Sequence, residues 1–258
     1  MQLTLNRRFS NGLQVLAAYT WSRYFDQTAS LENSAFNFPG INPFSSKTQW
    51  APSVNDAPQR FVISYNYVLP IYKLTHKWKA LTDDWSLVGI YTLQHGLPIP
   101  VFDLAGGGLT CDANVSFYAC QDRASFTGAP IGITNPRNNP NHLWFNPAAF
   151  TTPFLQFLSG TGPAGVLGTA NRNPLYGPGI NYGDMAIEKD VHISESRYFQ
   201  LRFETYNTFN HTNFSNPGNF GSSTDISLEG NVGQIFSTKT ITTNGEGRAV
   251  QLGAKFYF

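Results

Sequence analysis

The sequence predicts an all-β fold: an antiparallel transmembrane β-barrel portion of about seven spanning strands plus an extracellular β extension. Three observations predict it. Residues 248–258, RAVQLGAKFYF, place Val250, Leu252, Ala254, Phe256 and Phe258 at every second position, with Gln251, Gly253, Lys255 and Tyr257 between them. That is the period of a strand with one apolar and one mixed face. Only 13% of the 258 residues are charged and 15% are aromatic, against about 25% charged in ordinary soluble domains; such a surface suits lipid, with aromatic belts at the headgroups. No window approaches the roughly 18 uninterrupted apolar residues of a membrane helix, so contact with a bilayer would be through strands. The plainer alternative for the terminal pattern is a half-buried strand of a soluble sheet. A net charge of +1 without a basic run excludes nucleic acid as a partner.

In chain order, residues 2–9 form a first strand and Ser10-Asn11-Gly12 a tight turn. Leu13, Val15, Ala17, Tyr19 and Trp21 then line the outer face of a second strand over 13–24. Arg7 and Arg8 before LQVLAAY imitate a signal peptide, but Asn11 and Gln14 interrupt the apolar run and no small-residue cleavage site follows. A barrel sequence starting in mid-pattern reads as a fragment. Residues 26–58 lose all periodicity and, as a long connection, belong outside the cell. Alternation returns over 59–69, with Phe61, Ile63, Tyr65, Tyr67 and Leu69 on one side, and Pro70 ends it because proline supplies no ladder N–H. A connector carrying Lys73, Lys77 and Lys79 leads to a strand over 85–95, with Trp85 as an interface anchor.

Residues 96–180 are rich in Pro, Gly and Asn and are expected to cover the barrel mouth. They hold the only cysteines, Cys111 and Cys120. One disulfide is the economical reading and implies an oxidising compartment; buried free thiols are the alternative, and a metal site lacks ligands. A strand over 181–193 follows, its outer row Met185, Ile187, Val191 and Ile193 broken by Lys189, whose long stem can snorkel to the interface. In the strand over 197–210, Phe199, Leu201 and Phe203 alternate with Gln200, Arg202, Glu204 and Tyr206. Charges are costly toward lipid and acceptable toward a wet lumen. Arg202, Glu204, Asp184 and Glu188 are therefore expected to form a lumen-facing structural network.

Three blocks carry a family resemblance: GPGINYGDMAIEKDVHIS, RYFQLRFETYNTFNHTNFSNP and the terminal RAVQLGAKFYF. Matching positions are Gly177, Pro178, Gly179, Asn181, Asp184 and Lys189, then Arg202, Glu204, Asn207, Phe209, Asn210 and Phe214, then Arg248, Gln251, Lys255 and Phe258. In this order they resemble the end of Oar-like TonB-dependent receptors, over roughly the last third of the chain. The resemblance implies residence in the cell outer membrane and import of a nutrient driven through TonB. It also implies partners: outer-membrane lipid, the rest of the barrel and its plug, TonB reached through N-terminal parts, the barrel assembly machinery reached through the C-terminal strand, and an unidentified extracellular ligand. No carboxypeptidase-regulatory-like domain, plug or TonB box is recognisable in these residues.

Strand parity adds an argument. If long connections are extracellular and the C-terminus periplasmic, seven spans alternate correctly. Residues 232–243, VGQIFSTKTITT, also alternate, but as an eighth span they would invert every loop. They are assigned to the last extracellular excursion, 211–247, as an extension of the sheet. Single-chain bacterial barrels normally have even strand numbers, so seven indicates a piece of a larger barrel of about 22 strands. Catalysis has little support: His76, His95, His142, His192 and His211 show no metal-ligand or GxSxG spacing, and Gly106-Gly107-Gly108 lacks the lysine of a phosphate cradle. No enzyme activity, cofactor or metal is expected. Two other readings stay open. A self-contained small barrel, adhesive or structural, would pair strand 2–9 with 248–258. A soluble β-sandwich would bury the Phe61 and Phe256 rows between two sheets.

Overall fold

The computed structural model describes residues 1–9, 11–27, 50–103, 122–152, 160, 168–217, 224, 226, 230–239 and 247–258. The seven alternating stretches form β1 (Gln2–Arg8), β2 (Leu13–Trp21), β3 (Gln59–Leu69), β4 (Trp85–Gln94), β5 (Ile180–His192), β6 (Tyr198–Tyr206) and β7 (Ala249–Tyr257). They make one antiparallel sheet in chain order, and β1 and β7 stand at its two edges with one ladder partner each. The ring closure that the small-barrel reading asks for is not formed between them.

The period of two means that one register contact fixes every face. Phe203 lies opposite Ile187 on β5 and Leu252 on β7, and Arg202 lies opposite Glu188 and Gly253. The apolar row continues from Ile187 to Leu87, Tyr67 and Leu13 across β4, β3 and β2. Phe199 and Phe256 pack with ring centroids 4.7 Å apart on this face, while Tyr198 and Tyr257 stack at 4.5 Å on the other. No second layer covers the apolar row: Leu252 is 78% exposed. The sandwich expectation therefore fails, because the Phe61 and Phe256 rows lie on the same bare face of a single sheet.

Within that face, two tyrosines lie over glycines of the next strand. A Cβ on Gly89 would sit 2.5 Å from the Tyr65 hydroxyl, and one on Gly183 would enter the Tyr91 ring. The rings thus cover backbone that glycine leaves bare. Tyr91 also donates a hydrogen bond to Asn181 and meets Phe209 edge-on at 5.7 Å. Lys189, on the apolar row, is only 7% exposed; its ammonium donates to the Asp83 carbonyl at 2.6 Å and to the Asp190 carbonyl at 2.9 Å. The snorkelling stem ends on backbone oxygens at the sheet margin.

One end of the sheet carries short connections. After Pro70 the connector folds into two short helices, α1 (Ile71–Thr75) and α2 (Lys79–Thr82). The other end carries the three long connections, whose described parts pack into one cap. Strand β6 stops before Asn207 because this residue turns left-handed at φ 49°, a region asparagine tolerates better than most residues. Its side chain then receives the His211 N–H at 3.0 Å and donates to the His211 carbonyl at 3.0 Å, bracing the exit into the cap.

The cap holds the buried core: Ile99, Val101, Phe145, Phe150 and Leu175 with Ala124, Ala149 and Ala170 between them. Among the described residues, regular structure there consists of two-residue ladders such as Leu175–Tyr176 with Pro98–Ile99, and of 3-10 turns Pro136–Asn138 and Pro147–Ala149. Both turns follow an Asn-Pro step. Asn135 accepts from the Arg137 N–H and Asn146 from the Ala148 N–H, while proline supplies the first turn position without losing a needed donor. The predicted extension over 232–243 is described up to residue 239. It forms single antiparallel bridges, Leu143 to Gln234 and Phe214 to Thr238, rather than a strand, because its neighbours are cap loops and not an aligned edge.

Candidate functional site

Two of the concavities on this frame carry clusters of polar side chains. The first is a trough of about 560 Å³ on the polar face of the sheet, bordered by Asn6, Gln14, Asn66, Asp184, Arg202 and Glu204. Cross-strand pairing puts Arg202 beside Glu188, and the period of two puts Glu204 next on the same face. Its guanidinium lies 3.1 Å from Glu188 Oε1 and 2.7 Å from Glu204 Oε1. The Tyr206 hydroxyl bridges Glu204 and Gln251 at 3.3 and 3.4 Å. The structure brings Arg202, Glu188 and Glu204 together. Asp184 stands apart from them and accepts the Asn207 N–H at 2.9 Å, so it holds the β6 exit rather than joining the guanidinium.

The second concavity is a groove of about 460 Å³ where the cap meets β5, with Asn135, Arg137, Trp144, Asn181, His211 and Phe214 among its lining residues. The Arg137 guanidinium lies over the Phe214 ring at 5.5 Å, an arrangement that holds both without burying the charge. Trp144 donates its indole N–H to the Tyr176 carbonyl at 2.8 Å, which fixes the ring at the groove wall. Lys239 bonds the Pro178 carbonyl at the floor, and burial lowers its pKa. A fixed indole, side-chain amides and an exposed guanidinium can take a flat, polar-edged ligand.

The cap is pinned by charges that the sequence reading missed. Asp56 is fully buried and accepts from the Tyr24 N–H at 2.7 Å, from Arg23 Nε at 3.2 Å and from the Tyr176 hydroxyl at 2.7 Å. Burial, then the hydrogen bond and charge of Asp56, push the Tyr176 phenol up to about 12, with Arg23 opposing. Arg172 pairs with Asp26, and burial lowers its pKa, as it does that of Arg123. Asn173 donates to the Pro52 carbonyl at 2.7 Å. These contacts tie the first long connection to the second over more than a hundred residues. Only separated single residues mark them in the sequence, and no periodicity connects Arg23, Asp56 and Tyr176.

The expected lipid row Val250, Leu252, Ala254, Phe256 and Phe258 is exposed, as are Gln251, Lys255 and Tyr257 on the opposite face of the same strand. Cys111 and Cys120 lie outside the described residues. The histidines are dispersed: His95 meets the Tyr176 ring edge-on at 4.9 Å, His192 lies 3.7 Å from Asp84 at the opposite end of the sheet, and His142 contacts the Pro136 carbonyl. No curated protein and no solved structure matches the chain. A family model described as an outer membrane beta barrel domain matches residues 1–251; with one antiparallel sheet, an uncovered apolar row and a polar trough behind it, the chain belongs to that family and resides in the outer membrane.

Proposed function

We propose that this chain supplies barrel wall and ligand-capturing mouth to a TonB-dependent receptor that imports a nutrient. The observation that carries the reading is the pairing of an open seven-stranded sheet, charged on one face, with a packed cap that holds a groove at its junction with β5. Both edge strands have a free ladder side, which further strands of a larger barrel would satisfy. The Arg202 network suits a lumen filled by water or a plug. The resemblance of the three sequence blocks to Oar-like receptors supports coupling to TonB, which would act through parts outside these residues. In this reading the terminal strand is also the segment presented to the barrel assembly machinery. No catalytic step is assigned to the chain.

The test is uptake. The complete reading frame containing this chain is expressed in cells with and without TonB, and candidate carbohydrates, peptides and siderophores are screened. Accumulation that needs both the receptor and TonB supports the proposal. Cell-surface binding or adhesion that is indifferent to TonB overturns it.

A further inference from the structure

The connector between β3 and β4 leaves an apolar surface uncovered at the end of the sheet opposite the cap. Leu74 is 78%, Trp78 75% and Leu81 60% exposed. In an ordinary solvated turn such residues would be polar, and three of this size on about a dozen positions make a patch rather than scattered exposure. Lys73, Lys77 and Lys79 are interleaved with them and are themselves exposed. The two helices are held as a unit: Lys79 Nζ lies over the Tyr72 ring at 5.8 Å, and Thr82 donates to the Lys77 carbonyl at 2.8 Å.

The patch is continuous with the lipid-facing row. Trp85, which pairs with Leu69 and Lys189 on that row, donates its indole N–H to the Leu81 carbonyl at 2.7 Å. Lys189 from the same row donates to the Asp83 carbonyl. The connector is thus fastened to the apolar face at its second helix. We infer that α1, α2 and the turn between them dock onto the phospholipid interface at the margin of the barrel. Leu74, Trp78 and Leu81 enter the boundary of headgroups and acyl chains, and Lys73, Lys77 and Lys79 face lipid phosphate. Indole at the headgroup level and lysine stems reaching outward are the two preferences that this boundary selects. A soluble partner would need its own apolar surface there; the bilayer is already present beside Trp85. The inference rests on the membrane face of the sheet and not on the transport reading.

The full chain is reconstituted into phosphatidylcholine vesicles with or without phosphatidylglycerol, and its folded form is checked by heat-modifiable gel mobility. The Trp78 signal is the difference between the chain and its Trp78→Phe variant. Docking predicts roughly twofold stronger quenching by lipid brominated near the headgroup than by lipid brominated at the chain end. Lys73→Gln, Lys77→Gln and Lys79→Gln are each expected to lower the preference for brominated phosphatidylglycerol about fivefold. A Trp78 signal quenched by iodide in water and untouched by either lipid overturns the inference. Where a variant does not reach the folded form, Leu74→Cys decides: in isolated, opened outer membranes it should react with a charged maleimide far more slowly than after detergent extraction, and equal rates overturn the docking.

Discussion

In β6, Phe199, Leu201 and Phe203 stand in the open, whereas in the cap Phe145 is 1% exposed and Val101 fully buried. The two regions use the same residue types in opposite ways. Between its two free edges the sheet pairs strand against strand and leaves its apolar side chains bare, as suits a surface that meets hydrocarbon. The cap stands in water and has few ladders, so it buries its aromatics in a core and pins its loops with ions and amides. Comparing them shows that hydrophobicity alone does not tell inside from outside in this chain; the period on paired strands does. Where apolar residues alternate on paired strands they form the bare row, and where they sit among Pro and Asn, as Ile235 does despite the alternation around it, they join the cap core.

The comparison can be broken most forcefully at Phe145. Phe145→Ala should cost the cap about 3–5 kcal/mol through the cavity left behind. Urea unfolding followed by Trp144 emission reads that loss, while the heat-modifiable mobility of the sheet should stay unchanged; equal shifts in both would merge the regions into one cooperative unit. Leu252→Arg attacks the sheet instead. It should cost about 2–4 kcal/mol in a bilayer near its midplane, measured as folded fraction on lipid titration, and a neutral result would remove that row from the hydrocarbon.

A smaller effect separates the cap's charges from its core. Asp56→Asn should destabilise the cap by about 1–3 kcal/mol, because Arg23 and Tyr176 lose a charged acceptor; cap proteolysis rates read it. The pH dependence follows from the raised phenol. Tyr176 contributes its full stability below the ordinary tyrosine value near 10, and that contribution is lost as pH climbs toward about 12. Cap unfolding across this window should flatten in Tyr176→Phe. The smallest change is expected at Arg202→Gln, about 1 kcal/mol, because the group is partly solvated and its partners face a wet trough.

The sheet was legible in the sequence because its signal is local. All seven strands and the shared face of Arg202, Glu204, Asp184 and Glu188 follow from a period of two; the register that sets Arg202 opposite Glu188 does not. The ends were less legible: β2 stops at Trp21 and β6 at Tyr206, short of positions 24 and 210, because chain exits are set by contacts such as the Asn207 clamp. Residues 232–239 alternate as a strand would, yet find only single bridges, since a pattern does not supply an aligned neighbour. The cap's interior was not legible at all. Its Asn-Pro turns carry a local signal, but Asp56 meets Tyr176 only after both loops have been placed by the strands beneath them.

That last dependence sets an order of events. The ladders β1–β2, β3–β4 and β5–β6 close across short connections, whereas β2–β3, β4–β5 and β6–β7 each close a long one. The Arg23 to Tyr176 contact spans 153 positions, and such distant closures are slow because their entropy is spent before any contact rewards it. The three short hairpins are thus the cheapest to form, and the cap's contacts, which need two long connections in place at once, are expected after them.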